Sequence, residues 1–298
     1  MSEHSHRFGF AALLGRPNTG KSTLLNRIVG ERVSIVTHKP QTTRQRITGV
    51  LTRPEGQVAF VDTPGLHGRE THALNRYMNR TARESLRDVD VVLVMVDAAK
   101  ITDDDQRVLE IAAACGRPVV LVINKIDRLA DRSRLLALTD SLTRQQDFEG
   151  VFYISATGGD GVDDLAEAVI GLLPEGPPMY APDQFTDRSV RYLASELIRE
   201  QLMLQLHQEL PYGLTVEIEK FEEQRRRSEI HAVIRVASER HKGMVIGRGG
   251  EVLKRVGTRA RKSIRELLGK PVHLELWVRV DPDWMDRESR LRQLGYGD

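Results

Sequence analysis

Five apolar runs, at residues 8–14, 58–61, 91–96, 119–123 and 151–154, recur along the first 174 residues, with helix-like stretches between them. Runs this short and continuously apolar fit strands buried on both faces. Their alternation with helical segments predicts an α/β fold, a mostly parallel sheet covered by helices on both sides. The rhythm stops at Pro174-Glu175-Gly176-Pro177-Pro178-Met179-Tyr180-Ala181-Pro182, a proline-rich stretch that suits neither helix nor central strand and reads as a short, stiff linker. Beyond it, Val190, Leu193, Leu197, Ile198 and Leu202 mark an amphipathic helix that ends before Pro211. Alternating runs at 214–221 and 228–236 predict a β-hairpin, with Arg225, Arg226 and Arg227 at its solvated tip. A helical segment from about Lys242, a glycine-rich joint at 247–250, a helix with Leu253, Val256, Ala260, Ile264 and Leu267 on one face, and a strand at 272–280 complete an α-β-β-α-α-β order. The division expected is therefore 1–174, a linker at 175–187, a second, α+β domain at 188–281 and a tail at 282–298 whose Trp284 and Leu294 the pattern does not place.

A chain of 298 residues is long enough for two separate cores. The net charge of +2 hides an asymmetry: residues 235–270 hold eleven Lys or Arg against three acids, a local +8, so the rest of the chain carries −6. Such concentration of basic charge points to a polyanionic partner. Cys115 is the single cysteine, which excludes an intrachain disulfide and fits a reducing compartment; its place in the apolar stretch Leu109–Cys115 predicts a buried helical thiol. Residues 1–7 are polar and no window approaches the ~20 apolar residues of a membrane span, so a cytoplasmic protein is expected. The nine histidines, His38, His67 and His72 among them, show no paired metal-ligand spacing.

Gly15, Arg16, Pro17, Asn18, Thr19, Gly20, Lys21 and Ser22 spell a complete Walker A loop between the first apolar run and a helical pattern starting at Thr23. That placement makes a phosphate cradle: backbone N–H groups converge on phosphate oxygens, the helix start adds partial positive charge, Lys21 reaches the terminal phosphates and Ser22 holds Mg2+. The run 58–61 ends in Asp62, Thr63, Pro64, Gly65 and Leu66. Asp62 is expected to hold the metal through water, and Gly65 to offer its N–H to the γ-phosphate. Gln41, Thr42, Thr43 and Arg44 lie in a polar stretch able to bring a threonine hydroxyl to the metal; Thr43 is preferred to Thr42. The catalytic set is thus Lys21, Thr43, Asp62 and Gly65, and the metal set Ser22, Thr43 and Asp62. After the run 119–123 come Asn124, Lys125, Ile126 and Asp127. A carboxylate at the fourth position accepts from both the ring N–H and the exocyclic amine of guanine, donors that adenine lacks there, so the ligand expected is GTP or GDP. Ser155 and Ala156 follow the last run, where their backbone closes over the base. Thr102 followed by Asp103, Asp104 and Asp105 reads as a helix cap with acids in the first turn rather than a metal site.

Five signatures in this order across residues 15–156 resemble the G domain of translation-type GTPases. Leu66 stands where Ras carries a water-orienting glutamine, and leucine cannot orient water, which implies slow intrinsic hydrolysis. Asn18 resembles the asparagine by which similar GTPases hold K+ near the phosphates. Further on, Gly247, Arg248, Gly249 and Gly250 between two short helical pieces resemble the GXXG loop of a type II KH domain, which clamps about four nucleotides of single-stranded RNA. Lys242, Lys254 and Arg255 are the basic residues expected beside that loop. A G domain followed by a KH-like domain, with Asp62-Thr63-Pro64-Gly65-Leu66-His67, Gln41–Arg44 and Glu209-Leu210-Pro211-Tyr212, resembles the Era family over nearly the whole chain. The resemblance implies a cytoplasmic GTPase, a monomer, that in its GTP form binds the 3′ end of 16S rRNA, assists assembly of the 30S subunit and leaves after hydrolysis. Part of the family also touches the membrane peripherally; with no anchor here, such contact is electrostatic or through partners. Two other readings use the same residues: a constitutive RNA-binding protein with a vestigial nucleotide site, and a signalling GTPase whose basic domain meets an anionic membrane.

Overall fold

The computed structural model describes residues 6–65, 72–206, 210 and 212–297, so Leu66, His67, Glu209 and Pro211 lie outside the described residues. The chain clusters into two units, one of Met1–Ser34, Thr43–Arg69 and Met78–Asp187, the other of Ile35–Thr42, Glu70–Tyr77 and Arg188–Asp298.

Strands β1 (Arg7–Leu14), β2 (Ile47–Arg53), β3 (Gly56–Asp62), β4 (Val91–Asp97), β5 (Val119–Asn124) and β6 (Gly150–Ile154) form one sheet in the order β2-β3-β1-β4-β5-β6. All neighbours are parallel except β2, which pairs antiparallel with β3. The pattern of apolar runs passes over β2 because Thr48, Gly49 and Thr52 interrupt it and it lies at the edge, where one side needs no partner strand. The helices are α1 (Lys21–Val29), α2 (Ala73–Glu84), α3 (Asp103–Ala113), α4 (Arg134–Thr143) and α5 (Val162–Leu172). α1 and α5 pack together, α1 against β2 and β3 and α5 against β1 and β3, whereas α3 packs on β4. β3, β4 and β5 are buried nearly end to end, as parallel strands under helices must be. Because β1, β3, β4, β5 and β6 run the same way, the loops leaving their C-terminal ends gather along one edge, the place where open α/β sheets bind ligands.

Two expectations change. Residues 175–187, expected as a stiff linker, run with Pro174 as a strap along the first unit: Phe8 N–H donates to Pro174 O at 3.1 Å, Val50 N–H to Phe185 O at 2.9 Å, and Thr186 Oγ1 to Thr48 O at 2.7 Å. Gln57 joins it from the sheet, donating to Tyr180 O at 2.9 Å and accepting from Met179 and Tyr180 N–H. Proline removes donors, yet its carbonyl still accepts. Cys115 is half-buried and stands in the turn beyond α3, which ends at Ala113, rather than buried within the helix.

The second unit holds α6 (Val190–Gln205), β7 (Leu214–Glu223), β8 (Ser228–Val236), α7 (Glu239–Ile246), α8 (Glu251–Leu268), β9 (Val272–Val280) and α9 (Glu288–Gln293). β7 and β8 form the antiparallel hairpin, and β9 lies parallel to β8. α7 starts at Glu239, three residues before the expected Lys242, because the Ser238 hydroxyl caps it by accepting from His241 N–H at 3.2 Å. Ala194, Leu197, Ile198 and Leu202 of α6 and Val256, Ala260 and Ile264 of α8 share one core with the inward residues of β7 and β8. The tail joins this unit: Trp284 is fully buried with its indole N–H on Gly213 O at 3.3 Å, and the Tyr296 and Thr215 hydroxyls lie 3.0 Å apart. Among the described residues no helix is long and apolar enough to cross a membrane.

Candidate functional site

The loop from Gly15 to Gly20 joins β1 to α1 with Asn18 at φ +67° and Gly20 at φ +104°, and a Cβ on Gly20 would meet Asn124 Nδ2 at 2.3 Å. Only glycine fits that turn. The Lys21 ammonium is folded back into the loop, donating to Gly15 O at 2.7 Å and Arg16 O at 3.1 Å. Burial lowers its pKa to about 8 against the opposing pull of Asp62. A buried cation whose attraction to Asp62 does not offset its burial is an arrangement that phosphate oxygens improve. Arg16 is pinned away from the loop: its Nε donates to both oxygens of Asp105, at 3.0 and 2.8 Å, and Nη2 to Lys100 O at 2.9 Å. Asp105 also closes the capping box with Thr102, so one carboxylate both starts α3 and anchors the loop. The second of those roles is not visible in the local sequence.

Three hydroxyls converge on one buried carboxylate. Ser22 Oγ donates to Asp62 Oδ2 at 2.6 Å, Ser34 Oγ at 3.1 Å and Thr43 Oγ1 at 3.2 Å, while Ser22 Oγ and Thr43 Oγ1 are 2.9 Å apart. Asp62 Oδ1 is buried with no hydrogen-bond partner among the described residues. Burial raises the Asp62 pKa, with Lys21 and the three hydroxyls opposing. Hard oxygen atoms around a buried carboxylate with an orphaned oxygen fit a small divalent cation such as Mg2+. Thr42 is turned elsewhere, its hydroxyl donating to Lys39 O at 2.6 Å. Ser34, which sequence reasoning missed, is set by Asn26 of α1, whose side-chain oxygen accepts from Val33 and Ser34 N–H at 3.0 and 2.9 Å. Thr63 is also buried, donating to Leu13 O at 2.9 Å, and Gly65 lies buried after Pro64.

On the base side, Asn124 ties three loops together. Its Nδ2 donates to Thr19 O at 2.8 Å, and its Oδ1 accepts from Lys125 N–H at 2.7 Å and Ala156 N–H at 3.0 Å. The residue thus braces the pocket and keeps its second Nδ2 donor for a ligand. Lys125, at φ +67°, donates to Asn18 O at 2.6 Å and Asp97 Oδ2 at 2.7 Å. Asp97 ends β4 as Asp62 ends β3, a signal legible in the sequence. Ser155 Oγ accepts from Gly158 N–H at 3.0 Å, which shapes the turn that carries Ala156. Asp127 sits in a single 3-10 turn, Ile126–Arg128, and is exposed, so the acceptor expected to be buried is desolvated only by the base itself.

In the second unit, Gly247 links α7 to a 3-10 turn at Arg248–Gly250. Gly247 has φ +73°, and a Cβ there would meet Val252 Cγ2 at 2.5 Å. Arg248 and Gly249 are exposed, as are Lys254, Arg255, Arg259, Arg261, Lys262 and Arg265 on the outer side of α8. A groove of about 380 Å³ runs from Gly250 between α8 and β9, lined by Leu253, Lys254, Gly257, Thr258, Arg261, Leu274 and Leu276. Of the residues expected beside the loop, Lys254 and Gly250 line it, whereas Arg255 and Lys242 do not; Lys242 lies 3.8 Å from Glu239. Gly257, Thr258 and Arg261 follow Lys254 at helical spacing, a stripe the sequence already contained. Apolar floor and basic rim suit stacked bases with phosphates alongside.

The 50S ribosome-binding GTPase family model matches residues 10–125, and the KH domain family model residues 209–285. A Stenotrophomonas maltophilia (strain R551-3) protein named GTPase Era is 50% identical over 297 residues, 99% of this chain and 100% of that protein. A GTPase Era of Xylella fastidiosa (strain M12) is 48% identical over 98% of each chain. Among solved structures, an Aquifex aeolicus Era variant bound to GDP and aluminium fluoride matches with a TM-score of 0.94 at 36% identity, over 98% of this chain and 100% of that one. Era in complex with MgGDPNP and nucleotides 1506–1542 of 16S ribosomal RNA matches with a TM-score of 0.95 at 36% identity over the same shares.

Proposed function

The chain belongs to the Era family of GTPases, and from that premise we propose that it is a switch: loaded with GTP it binds the 3′ end of small-subunit rRNA through the KH groove, assists 30S assembly, and leaves after hydrolysis. It works as a monomer in the cytoplasm, with membrane contact at most peripheral. The observation that carries the reading is the meeting of Thr43 with Ser22 and Asp62, which gives a polar loop a reason to change when the γ-phosphate is lost.

In hydrolysis, the loop 15–22 binds the phosphates by backbone N–H groups, and Lys21 exchanges its carbonyl partners for phosphate oxygens. Ser22, Thr43 and Asp62 would hold Mg2+, which neutralises charge developing on the β- and γ-phosphate oxygens when bound. Gly65 N–H orients the γ-phosphate, while Asn124 keeps Thr19, Lys125 and Ala156 in place around the base. With Leu66 unable to orient water, intrinsic turnover is expected on the order of 10⁻⁴ to 10⁻² s⁻¹. Asn18 is the residue proposed to hold K+. Hydrolysis is then expected about tenfold faster in K+ than in Na+ at equal ionic strength, the scale of about 1.4 kcal/mol of added charge stabilisation; equal rates in the two salts would remove K+ from the account.

The experiment that tests the RNA half is Gly249→Asp. Gly249 is exposed at φ +60° with open space around it, and aspartate tolerates that conformation better than most residues. A carboxylate ~4 Å from a phosphate repels it by about 1 kcal/mol in bulk water and more where water is excluded, so RNA affinity is expected to fall about tenfold or more. GTP hydrolysis without RNA stays unchanged, and Gly249→Ala isolates the backbone effect. Undiminished RNA affinity contradicts the groove assignment. Liposome binding that persists in Gly249→Asp while RNA binding is lost favours a separate membrane role for the basic domain.

A further inference from the structure

Residues 36–42, which lead into Thr43, are held along their length by α6. Val36 N–H donates to Glu200 Oε1 at 3.1 Å, and the Lys39 ammonium donates to the carbonyls of Met203 and Leu206. Lys39 thereby satisfies carbonyls of the last turn of α6, which have no partner within the helix. Arg199 donates to Thr42 O and, at 3.5 Å, to Gln41 O. This arginine is 1% exposed, and its fork is oriented before it meets the loop: Glu196, one turn earlier, accepts from Nε at 2.7 Å and from Nη2 at 2.5 Å. Burial works against the guanidinium charge, and Glu196 outweighs it. Gln41 has φ +57°, a conformation that a residue with a Cβ adopts at a cost and keeps only where its surroundings impose it. Two consecutive main-chain carbonyls fixed by one buried, pre-oriented guanidinium, beside a strained residue, are a clamp rather than ordinary helix packing.

Thr43 is the next residue, and its hydroxyl meets Ser22 and Asp62. We infer that Arg199, oriented by Glu196, is a positioning residue for the GTPase reaction: it fixes the carbonyls of Gln41 and Thr42 so that the Thr43 hydroxyl is presented to the metal of the GTP-bound state. The inference rests on the reading of Thr43 as a metal-holding residue. α6 also shares its core with α8, which lines the RNA groove, so a shift of α6 on RNA binding carries the clamp with it.

The test is made in the full-length protein. Arg199→Met alone leaves the half-buried Glu196 without its partner, so it is paired with Glu196→Gln, and Arg199→Lys keeps the charge without the fork. Affinities for GDPNP and GDP are measured with Mg2+ and with EDTA, in wild-type and Thr43→Ala backgrounds, together with amide exchange over residues 36–42. The double variant is expected to reduce the GDPNP-to-GDP affinity ratio in Mg2+ about tenfold, with GDP affinity unchanged. It raises the Mg2+ concentration for half-maximal hydrolysis and speeds exchange at 36–42. Arg199→Lys recovers part of the loss, and in Thr43→Ala the double variant has no further effect. Equal loss of GDPNP and GDP affinity, or an undiminished effect in the Thr43→Ala background, overturns the inference and makes Arg199 structural. If Thr43→Ala by itself leaves the affinity ratio unchanged, the underlying reading of Thr43 fails and the inference with it. If Thr43→Ala lowers the ratio and the Arg199 variants do not, the inference alone fails.

Discussion

Asp127→Asn is expected to move base preference from guanine to xanthine. The carboxylate offers two acceptor oxygens to the N1–H and the 2-amino group of guanine. Asparagine keeps one acceptor and replaces the other with an amide donor, which suits the N1–H and the 2-oxo group of xanthine. A site built on such a pair rejects the mismatched partner by up to about 10⁴ to 10⁵, because a donor or acceptor is left unpaired once water is excluded. Asp127 is exposed in the structure, so the substitution falls on a solvated side chain, where stability changes are typically within about 0.5 kcal/mol. The Asn124 bridge that braces the pocket does not involve it. Competition binding of GDP and XDP reads the outcome, and an unchanged preference for GDP would contradict the base-pocket account.

The second large effect is expected from Lys21→Met. Breaking a buried ion pair by removing one partner typically costs ~3–5 kcal/mol, so GTP and GDP affinities should both fall by about 10² to 5 × 10³. The nucleotide-free protein should behave differently. Lys21 is buried with its pKa lowered to about 8 by that burial despite the pull of Asp62, which means that its charge is held in the loop at a cost. Methionine of similar length fills the same volume without the charge. The nucleotide-free Tm is therefore expected to stay level or rise. The stabilisation that nucleotide confers, about 2.7 kcal/mol at a ligand concentration of 100 times Kd, is lost at wild-type saturating concentrations. Thermal denaturation with and without GDP separates the two effects, and a fall in the nucleotide-free Tm would mean that Lys21 supports the loop rather than the phosphate.

Much of this was legible in the chain because short motifs sit at the ends of strands. The runs that became β1, β3, β5 and β6 each end where a parallel sheet delivers its loops, so Lys21, Asp62, Asn124 and Ala156 could be assigned to one edge before any contact was known. Long-range partners were not legible. Nothing near Arg16 announces Asp105, and nothing near Gln41 announces Arg199, since each pair joins residues far apart in sequence. Nor does the sequence around Asn124 show the three hydrogen bonds by which it also braces Thr19, Lys125 and Ala156. β2 escaped because an edge strand with polar interruptions lacks a clear apolar period. The strap at 174–187 was read as a stiff linker because proline content reports missing donors and is silent about carbonyls that accept.

The central claim is that nucleotide occupancy governs RNA binding. Equilibrium titration of an RNA fragment from the 3′ end of 16S rRNA, against protein that is nucleotide-free, loaded with GDPNP and Mg2+, or loaded with GDP, measures it directly at a single fixed salt concentration. The account predicts tighter binding in the GDPNP form than in the other two, about tenfold for a coupling of ~1.4 kcal/mol. Identical affinity in all three states would contradict it.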